Sequence, residues 1–205
     1  MKRTRLTREQ SREQTRERLL DAAHAMFTKK GFIGASVEDI AFAAGYTRGA
    51  FYSNFTDKAE LFVELLRRDH EKVQAGLRAI VDLPASRDEL EARVLAYYSR
   101  LPQETDTFVL WAEAKLLAMR DADFAARFNA FMNGKREELK AYIEEFSARV
   151  GTPLPMDPEI LVIGLVALCD GVQLLGTADP QRITAPLVEQ VLAGFFSRVV
   201  FGRDA

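Results

Sequence analysis

The sequence is poor in the residues from which metal centres and disulfide frameworks are built. It contains one cysteine, Cys169, and two histidines, His24 and His70, which lie far apart and outside any cluster of ligand-type residues. A single cysteine excludes an intramolecular disulfide framework, and isolated histidines do not match the spacing of a metal site. We therefore expect no metal and no cofactor. Cys169 lies in an apolar segment, which favours a buried core thiol over a redox sensor.

Motifs of several enzyme classes are missing as well. The chain has no GxxxxGKS/T phosphate-binding loop, no GxSxG nucleophile elbow and no HExxH zinc motif. A helical enzyme that uses an aromatic cavity would need a catalytic constellation, and the sequence does not show one. We therefore predict that the protein is not an enzyme.

Long hydrophobic runs are also scarce. The apolar run Ile160–Cys169 is much shorter than the roughly 20 apolar residues that a membrane-spanning helix needs, so we expect it to be buried in protein. The first residues are basic and lack an apolar segment, so we do not expect a signal peptide. Together these features predict a cytoplasmic protein without a membrane partner.

The residues that are present describe an ordinary globular protein with an uneven charge distribution. The chain has 205 residues, of which 48% are hydrophobic and 28% charged, enough to bury a sizeable core in one or two domains. Residues 1–60 carry eleven lysines or arginines against eight acidic residues, a net charge of +3, while the remainder carries −5. This asymmetry indicates that the N-terminal quarter faces a polyanion.

One stretch in this quarter combines two helix starts with a glycine between them. Ser36 and Asp39 have the spacing of a capping box, and Thr47 can cap a second helix, Arg48–Phe55. Gly45 lies where the first helix needs a residue that tolerates the left-handed conformation. The pattern predicts a helix-turn-helix, whose second helix enters the major groove of DNA. An ordinary pair of helices inside a bundle remains an alternative.

Apolar periodicity predicts the faces of these two helices. The first has a narrow apolar stripe that leaves Glu38, Asp39 and Phe42 outside it. In the second helix, Phe51 and Phe55 share one side, whereas polar side chains occupy the rest. Before both, a helix with Arg8, Arg12 and Arg16 beside Glu9, Glu13 and Glu17 has the pattern of a solvated, salt-bridged surface. Residues from Met1 to about Thr7 form a basic arm.

The rest of the chain reads as one helix after another, so we predict an all-α fold of about nine helices. Residues 1–56 form a helix-turn-helix domain, and residues 57–205 form a larger domain for regulation and dimerisation. A long helix, residues 57–81, joins the two, and Pro102 interrupts the helices that follow.

The last two helices carry wide apolar faces, which predict either an internal core pair or a four-helix dimer interface. The residues that we assign to a dimer interface are Leu165, Leu168, Val172, Leu187, Val188, Val191, Leu192, Phe195, Phe196 and Val199.

The N-terminal segment resembles a known family. Residues 19–61 read LLDAAHAMFTKKGFIGASVEDIAFAAGYTRGAFYSNFTDKAEL, and this segment is similar to the DNA-binding domain of TetR-type, AcrR-like bacterial transcriptional regulators. The most specific part is AGYTRGAFYSNFTDKAEL, residues 44–61. The resemblance implies a homodimer that binds a double-stranded DNA operator with inverted-repeat symmetry. It also implies release from DNA, and so most often repression, under the control of a small molecule.

The resemblance also assigns roles to residues at matching positions. Thr47, Arg48 and Gly49 would approach base edges, while Ser36, Tyr52 and Lys58 would hold phosphates; Ser53 completes the predicted DNA-binding set. Ser53 and Asn54 depart from the larger or basic side chains that many members have there. Tyr46 stands where a small aliphatic residue is usual and is interpreted as a core residue.

Aromatic residues of the middle helices could line an apolar effector site with a few polar groups. This set is Phe62, Leu66, His70, Tyr97, Tyr98, Phe108, Trp111, Phe128, Phe131, Met132 and Gln173, with Glu113 and Lys115 as possible polar anchors. Taken one at a time, such residues are typical of ordinary cores. Taken together, they favour a hydrophobic or aromatic effector. A helical DNA-binding protein without ligand control remains the alternative function.

Overall fold

In the computed structural model, which describes residues 7–100, 105–151 and 153–200, all regular structure is helical. This confirms the predicted all-α fold. The basic arm before Thr7 and the interruption at Pro102 lie outside the described residues. The helices are α1 (Arg8–Gly34), α2 (Val37–Ala43), α3 (Arg48–Tyr52), α4 (Lys58–Val81), α5 (Arg87–Arg100), α6 (Thr105–Ala118), α7 (Ala122–Val150), α8 (Pro158–Ala178) and α9 (Ala185–Phe195), which continues as a π-helical turn, Phe196–Val200.

The chain forms two compact units that do not follow sequence order. The first unit contains the residues up to Glu71 together with Val109–Asn129, and the second contains Lys72–Phe108 and the residues from Ala130 onward. Helices α4, α6 and α7 therefore each run from one unit into the other. The first unit combines α1, α2 and α3 with the start of α4 and with a hairpin made by most of α6 and the beginning of α7.

Aromatic side chains build the core of the first unit. The ring centroid of Phe62 on α4 lies 5.0 Å from that of Phe27 on α1, 5.1 Å from that of Phe32 and 5.9 Å from that of Phe124 on α7. Phe27, Phe62 and Phe124 are almost completely buried. Offset and edge-to-face ring pairs add to the burial of apolar area. The cluster thus holds three helices that are distant in sequence, α1, α4 and α7, in one core.

Arg16 on α1 has a different role from the one predicted for it. Its Nη2 lies 3.1 Å from the Oε1 of Glu64, its Nη1 donates to the carbonyl of Asn54 at 3.0 Å, and its guanidinium lies 4.3 Å from the ring centroid of Phe55. These tertiary contacts replace the predicted pair with Glu13, which lies one turn earlier on the same helix. Arg16 is therefore an anchor between α1 and the segment that follows α3.

Helix α4 begins with two side-chain caps. The Oδ1 of Asp57 accepts a hydrogen bond from the amide of Glu60 at 2.7 Å, as the capping-box spacing predicts. The carboxylate of Glu60 accepts from the amide of Thr56 at 2.7 Å, so the return contact falls one residue before the predicted position. Asp57 also accepts two hydrogen bonds from Arg127 on α7, each 2.9 Å long.

The core of the second unit contains part of the predicted dimer interface. Half of the predicted interface residues are buried within the chain itself and pack with side chains of α4, α5 and α7. These five are Leu165, Val172, Val188, Leu192 and Phe196, with exposures between 1% and 8%. Leu168, Phe195 and Val199 are partly buried against the same core. Leu187 and Val191, each 40% exposed, are the most accessible of the ten.

A different set of apolar side chains on these helices faces outward. Ile160, Ile163 and Leu174 on α8 recur at helical spacing, and Leu175 lies beside Leu174; all four are more than half exposed. Within the described residues, α8 is the one helix long and apolar enough to cross a membrane by length and composition. The expectation that its apolar run is buried thus holds for one side of the helix only, and the other side resembles a partner surface.

Candidate nucleic-acid interface

The start of α2 is fixed by the predicted capping box. The Oγ of Ser36 accepts from the amide of Asp39 at 3.0 Å, and the Oδ2 of Asp39 accepts from the amide of Ser36 at 3.2 Å. Lys30, near the end of the regular part of α1, donates to the same carboxylate at 3.1 Å. The hydrogen bond from Lys30, followed by those from Ser36, holds the pKa of Asp39 below its ordinary value. The carboxylate therefore stays charged and the first turn of α2 is well defined.

The turn between α2 and α3 also has the predicted form. Gly45 has φ 78°, a left-handed conformation that is strained for other residues. The amide of Tyr46 donates to the carbonyl of Ala41 at 2.8 Å, which closes the C-terminus of α2. Thr47 then caps α3 by accepting from the amide of Ala50 at 3.2 Å. These contacts set the angle between the two helices of the helix-turn-helix.

Helix α3 is shorter than predicted. It ends at Tyr52 and not at Phe55. The hydroxyl of Ser53 donates to the carbonyl of Gly49 at 2.9 Å, and the side-chain amide of Asn54 donates to the carbonyl of Ala50 at 2.8 Å. The carbonyl of Gly49 also accepts from the amide of Ser53 at 3.1 Å, as in a regular helix, whereas the amide of Asn54 donates to Phe51. The Asn54 side chain thus occupies a carbonyl that a longer helix would pair with a backbone amide. Asn54 is turned onto its own helix, away from the exposed surface.

The exposed side of α3 presents the residues predicted to read bases. Phe51 and Phe55 are buried, as their spacing predicts, while Thr47, Arg48 and Gly49 are exposed at the N-terminal end of the helix. Amide groups at a helix N-terminus and an arginine side chain favour an anionic, acceptor-rich partner such as the groove of DNA.

Arg48 is held in place by two neighbours, and one of them was not identified from the sequence. Its Nη1 lies 2.8 Å from the Oε1 of Glu38 on α2, and its guanidinium lies 5.5 Å from the ring centroid of Tyr52. The side chains of Arg48 and Glu38 are 64% and 57% exposed, so DNA can reach both. Glu38 therefore orients the principal base-reading candidate, and its position outside the apolar stripe of α2 was the available signal.

Phe42 adds an unexpected apolar side chain to this surface. It is 87% exposed and lies four residues after Glu38, so the two side chains share a face of α2. Its position outside the apolar stripe predicted that it would not be buried, although no role was assigned to it.

Lys58 occupies a more enclosed position than the other predicted DNA-binding residues. Its Nζ donates to the carbonyls of Phe32 at 2.6 Å and Ala35 at 2.7 Å, and it lies 4.4 Å from the ring centroid of Phe32. Burial lowers the pKa of Lys58, and the negative charge of Glu113 opposes that change. Because an ammonium group has three N–H donors, one is left for a phosphate.

The predicted effector residues are divided between the two units. Phe62, Leu66, His70, Trp111 and Phe128 belong to the first unit, and Tyr97, Tyr98, Phe108, Phe131, Met132 and Gln173 belong to the second. Phe62 lies in the aromatic core described above, and the ring centroid of Trp111 lies 6.4 Å from that of Phe128, with the two rings tilted by 54°. Tyr98 lies 5.1 Å from Phe196 in the core of the second unit. The predicted anchor Glu113 instead accepts a hydrogen bond from the amide of Phe32.

Comparison with known proteins agrees with this geometry. Residues 19–65 match "Bacterial regulatory proteins, tetR family", and residues 84–200 match "BetI-type transcriptional repressor, C-terminal". The chain is 31% identical over 182 residues to the HTH-type transcriptional repressor Rv1474c of Mycobacterium tuberculosis, and the match covers 84% of this chain and 88% of that protein.

Solved structures share the whole fold. A TetR-family transcriptional regulator from Cytophaga hutchinsonii superposes with a TM-score of 0.72 at 19% identity, over 98% of this chain and 99% of that one. FadR of Bacillus subtilis, solved in complex with stearoyl-CoA, superposes with a TM-score of 0.68 at 18% identity, over 92% and 99% of the two chains. The helix-turn-helix, the two matching segments and the relative aligned over most of its length place this chain in the TetR family of DNA-binding bacterial transcriptional regulators.

Proposed function

We propose that this chain is a repressor that binds an inverted-repeat operator as a homodimer and leaves it when a small hydrophobic or aromatic effector binds. The observation that carries operator reading is the exposed N-terminal end of α3, where Arg48 is oriented by Glu38 and Tyr52. Thr47, Arg48 and Gly49 contact bases in this proposal. Phosphates are held by Ser36, Tyr52 and the remaining N–H of Lys58. The hydroxyl proton of Ser53 is donated to the carbonyl of Gly49, so Ser53 contacts DNA as a hydrogen-bond acceptor in this proposal.

The DNA-binding proposal is tested by selection of DNA from a random library with the purified chain, followed by footprinting. Two-fold symmetry of the protein predicts two half-sites in inverted orientation, with centres about 34 Å apart or a multiple of one helical turn. Selected sequences without a repeated half-site would contradict symmetric binding. Absence of any enriched sequence would contradict operator recognition altogether.

The outward faces of α8 and α9 support the homodimer. Ile163, Leu174, Leu187 and Val191 are exposed apolar side chains that a second copy would cover. Leu174→Glu or Val191→Glu would put a charge into that interface and shift the protein to monomers in sedimentation experiments, because a desolvated unpaired charge is unfavourable. Val188→Glu is not a suitable test, since Val188 is buried in the chain's own core.

Effector control has two supports. The chain has a C-terminal segment that matches a repressor family, and a regulator with the same fold was solved in complex with stearoyl-CoA. We assign the effector site to the predicted residues of the second unit, which are Tyr97, Tyr98, Phe108, Phe131, Met132 and Gln173. In this proposal, residues 1–56 bind DNA and residues 57–205 bind the effector and form the dimer. The protein acts on DNA in the cytoplasm.

The effector proposal is tested in two steps. Thermal unfolding is measured with a panel of hydrophobic and aromatic compounds, because a ligand that binds only the native state raises the unfolding temperature. Each stabilising compound is then added to the protein–operator complex, and release is followed by fluorescence anisotropy. Operator affinity that is the same with and without a stabilising ligand would favour the alternative, a DNA-binding protein without ligand control.

A further inference from the structure

A carboxylate on α6 contacts the connection between α1 and α2. The amide of Phe32 donates to the Oε1 of Glu113 at 2.6 Å in a partly buried position. The preceding residue, Gly31, has φ 73° and interrupts the helical geometry of α1. A Cβ atom added to Gly31 would lie 3.0 Å from the same carboxylate oxygen. The backbone at this break and the Glu113 side chain are thus closely fitted to each other.

Helix α4 contacts backbone carbonyl groups of the same connection. Lys58 donates to the carbonyls of Phe32 and Ala35, and Ser36, the cap of α2, follows directly. The Lys58 ammonium group and the Glu113 carboxylate influence each other electrostatically. Two charged side chains of opposite sign therefore hold the donor and the acceptor of Phe32. Hydrogen bonds of this type, between a charged group and the backbone, are stronger than neutral ones.

We infer that Glu113 is a positioning residue for DNA recognition, which fixes the segment from Gly31 to Ala35 and thereby the place of Ser36 and α2 relative to DNA. The inference rests on the proposed operator binding and adds α6 to the parts of the protein that determine it. Helix α6 starts in the second unit and enters the first at Val109, four residues before Glu113. A displacement of α6 would therefore reach the connection directly.

The expected consequence is a smaller population of the DNA-binding conformation. Without the Glu113 contact, the connection can adopt other arrangements, and the apparent dissociation constant rises in inverse proportion to the competent fraction. Loss of a charge-assisted hydrogen bond to a partly buried amide is large enough to raise that constant about tenfold or more.

The experiment compares operator affinity for three variants of the full chain. Glu113→Leu removes both the acceptor and the charge, and we expect about tenfold weaker binding. Glu113→Gln keeps an oxygen that can accept from Phe32, so it should bind more tightly than Glu113→Leu. Arg127→Gln is the matched control: Arg127 also joins the α6–α7 hairpin to α4, but its ion pair with Asp57 is nearly half exposed and should be worth little.

Two further measurements separate positioning from general stability. Hydrogen exchange of the Phe32 amide should accelerate in Glu113→Leu and change less in Glu113→Gln. The pKa of Lys58, followed by NMR, should fall in Glu113→Gln, because the charge that opposes its depression is gone. If Glu113→Leu lowers the helical content, Glu113→Asp replaces it, since its carboxylate is one methylene shorter and does not reach Phe32.

Operator binding by Glu113→Leu within twofold of the wild type would overturn the inference, as would unchanged exchange at Phe32. An effect of Arg127→Gln as large as that of Glu113→Leu would also contradict it. Wild-type binding is measured in the same titration. If the wild type binds no selected DNA, the proposed function fails, whereas equal binding by wild type and variant refutes the role of Glu113 alone.

Discussion

Arg16 offers the most demanding test of how the helix-turn-helix is held in place. Its guanidinium makes three contacts in the first unit, with the carbonyl of Asn54, the carboxylate of Glu64 and the ring of Phe55, and its side chain is only 24% exposed. Arg16→Met retains an apolar stem and has similar helix propensity, so the substitution removes these contacts without weakening α1 itself.

The expected loss in the free energy of unfolding follows from these three contacts. A hydrogen bond from a charged donor contributes about 1.5–3 kcal/mol, a partly exposed ion pair about 0–1, and a cation over a ring about 0.5–1. Because one side chain makes all three, the terms overlap, and we expect a loss of about 2–4 kcal/mol in the free energy of unfolding. Operator affinity should fall as well, since Asn54 is the second residue after the end of α3.

The assay uses the single tryptophan of the chain, Trp111, which lies in the first unit. Urea unfolding followed by Trp111 fluorescence therefore reports on the unit that contains Arg16. Arg12→Met is the control, because Arg12 lies one turn earlier on the same helix and is exposed; it should change stability by less than about 0.5 kcal/mol. If the two variants unfold at the same urea concentration, the anchoring role of Arg16 is refuted.

Three other predictions concern recognition, the turn and the cysteine. Arg48→Ala should lose about 1–3 kcal/mol of operator binding and discriminate less at one base pair, as measured with single-base operator variants; retained discrimination there contradicts the assignment. Gly45→Ala should lower the free energy of unfolding by about 1–2 kcal/mol, because φ at Gly45 is 78°. Gly134→Ala should stabilise the protein, because Gly134 lies in the interior of α7 with open space around it; equal denaturation midpoints for the two variants would contradict this reasoning. Burial raises the pKa of Cys169 to about 12. At pH 8 the Cys169 thiol of the native protein should therefore react with iodoacetamide about a thousandfold more slowly than that of the unfolded protein, and two rates within tenfold of each other would contradict this. The stability associated with that raised pKa is present below the ordinary thiol pKa of 9.0 and is lost as the pH rises towards 12.

Local rules explain why the helix-turn-helix was predictable. The capping box at Ser36, the cap at Asp57, the left-handed Gly45 and the Thr47 cap depend on residues within four positions of one another. Such contacts form wherever the local sequence allows them, so their spacing is sufficient to predict them. The predicted length of α3 is wrong because the Asn54 side chain binds the carbonyl of Ala50, a competition with the backbone that helix periodicity does not describe.

Contacts between distant residues were not predictable in the same way. Arg16 had a suitable partner in Glu13 on its own helix, yet it contacts residues of α4 and of the segment after α3. The sequence suggests Glu113 as a possible polar anchor for a ligand. Its partner in the structure is the amide of Phe32, and no residue near Glu113 in the sequence indicates that contact. A long charged side chain has several possible partners that the local sequence does not distinguish, and tertiary packing decides which of them it contacts.

The sequence by itself determined the helical class, the helix-turn-helix, its capped ends and the family, because periodicity, caps and a nearly continuous motif are local properties. Tertiary structure alone decided which face of α8 and α9 is buried, since a helix that is apolar nearly all round carries no local signal for its inner side. It also decided that residues Val109–Asn129 of α6 and α7 pack in the same unit as the DNA-reading helices. That choice depends on how aromatic rings from α1, α4 and α7 fit together across the chain.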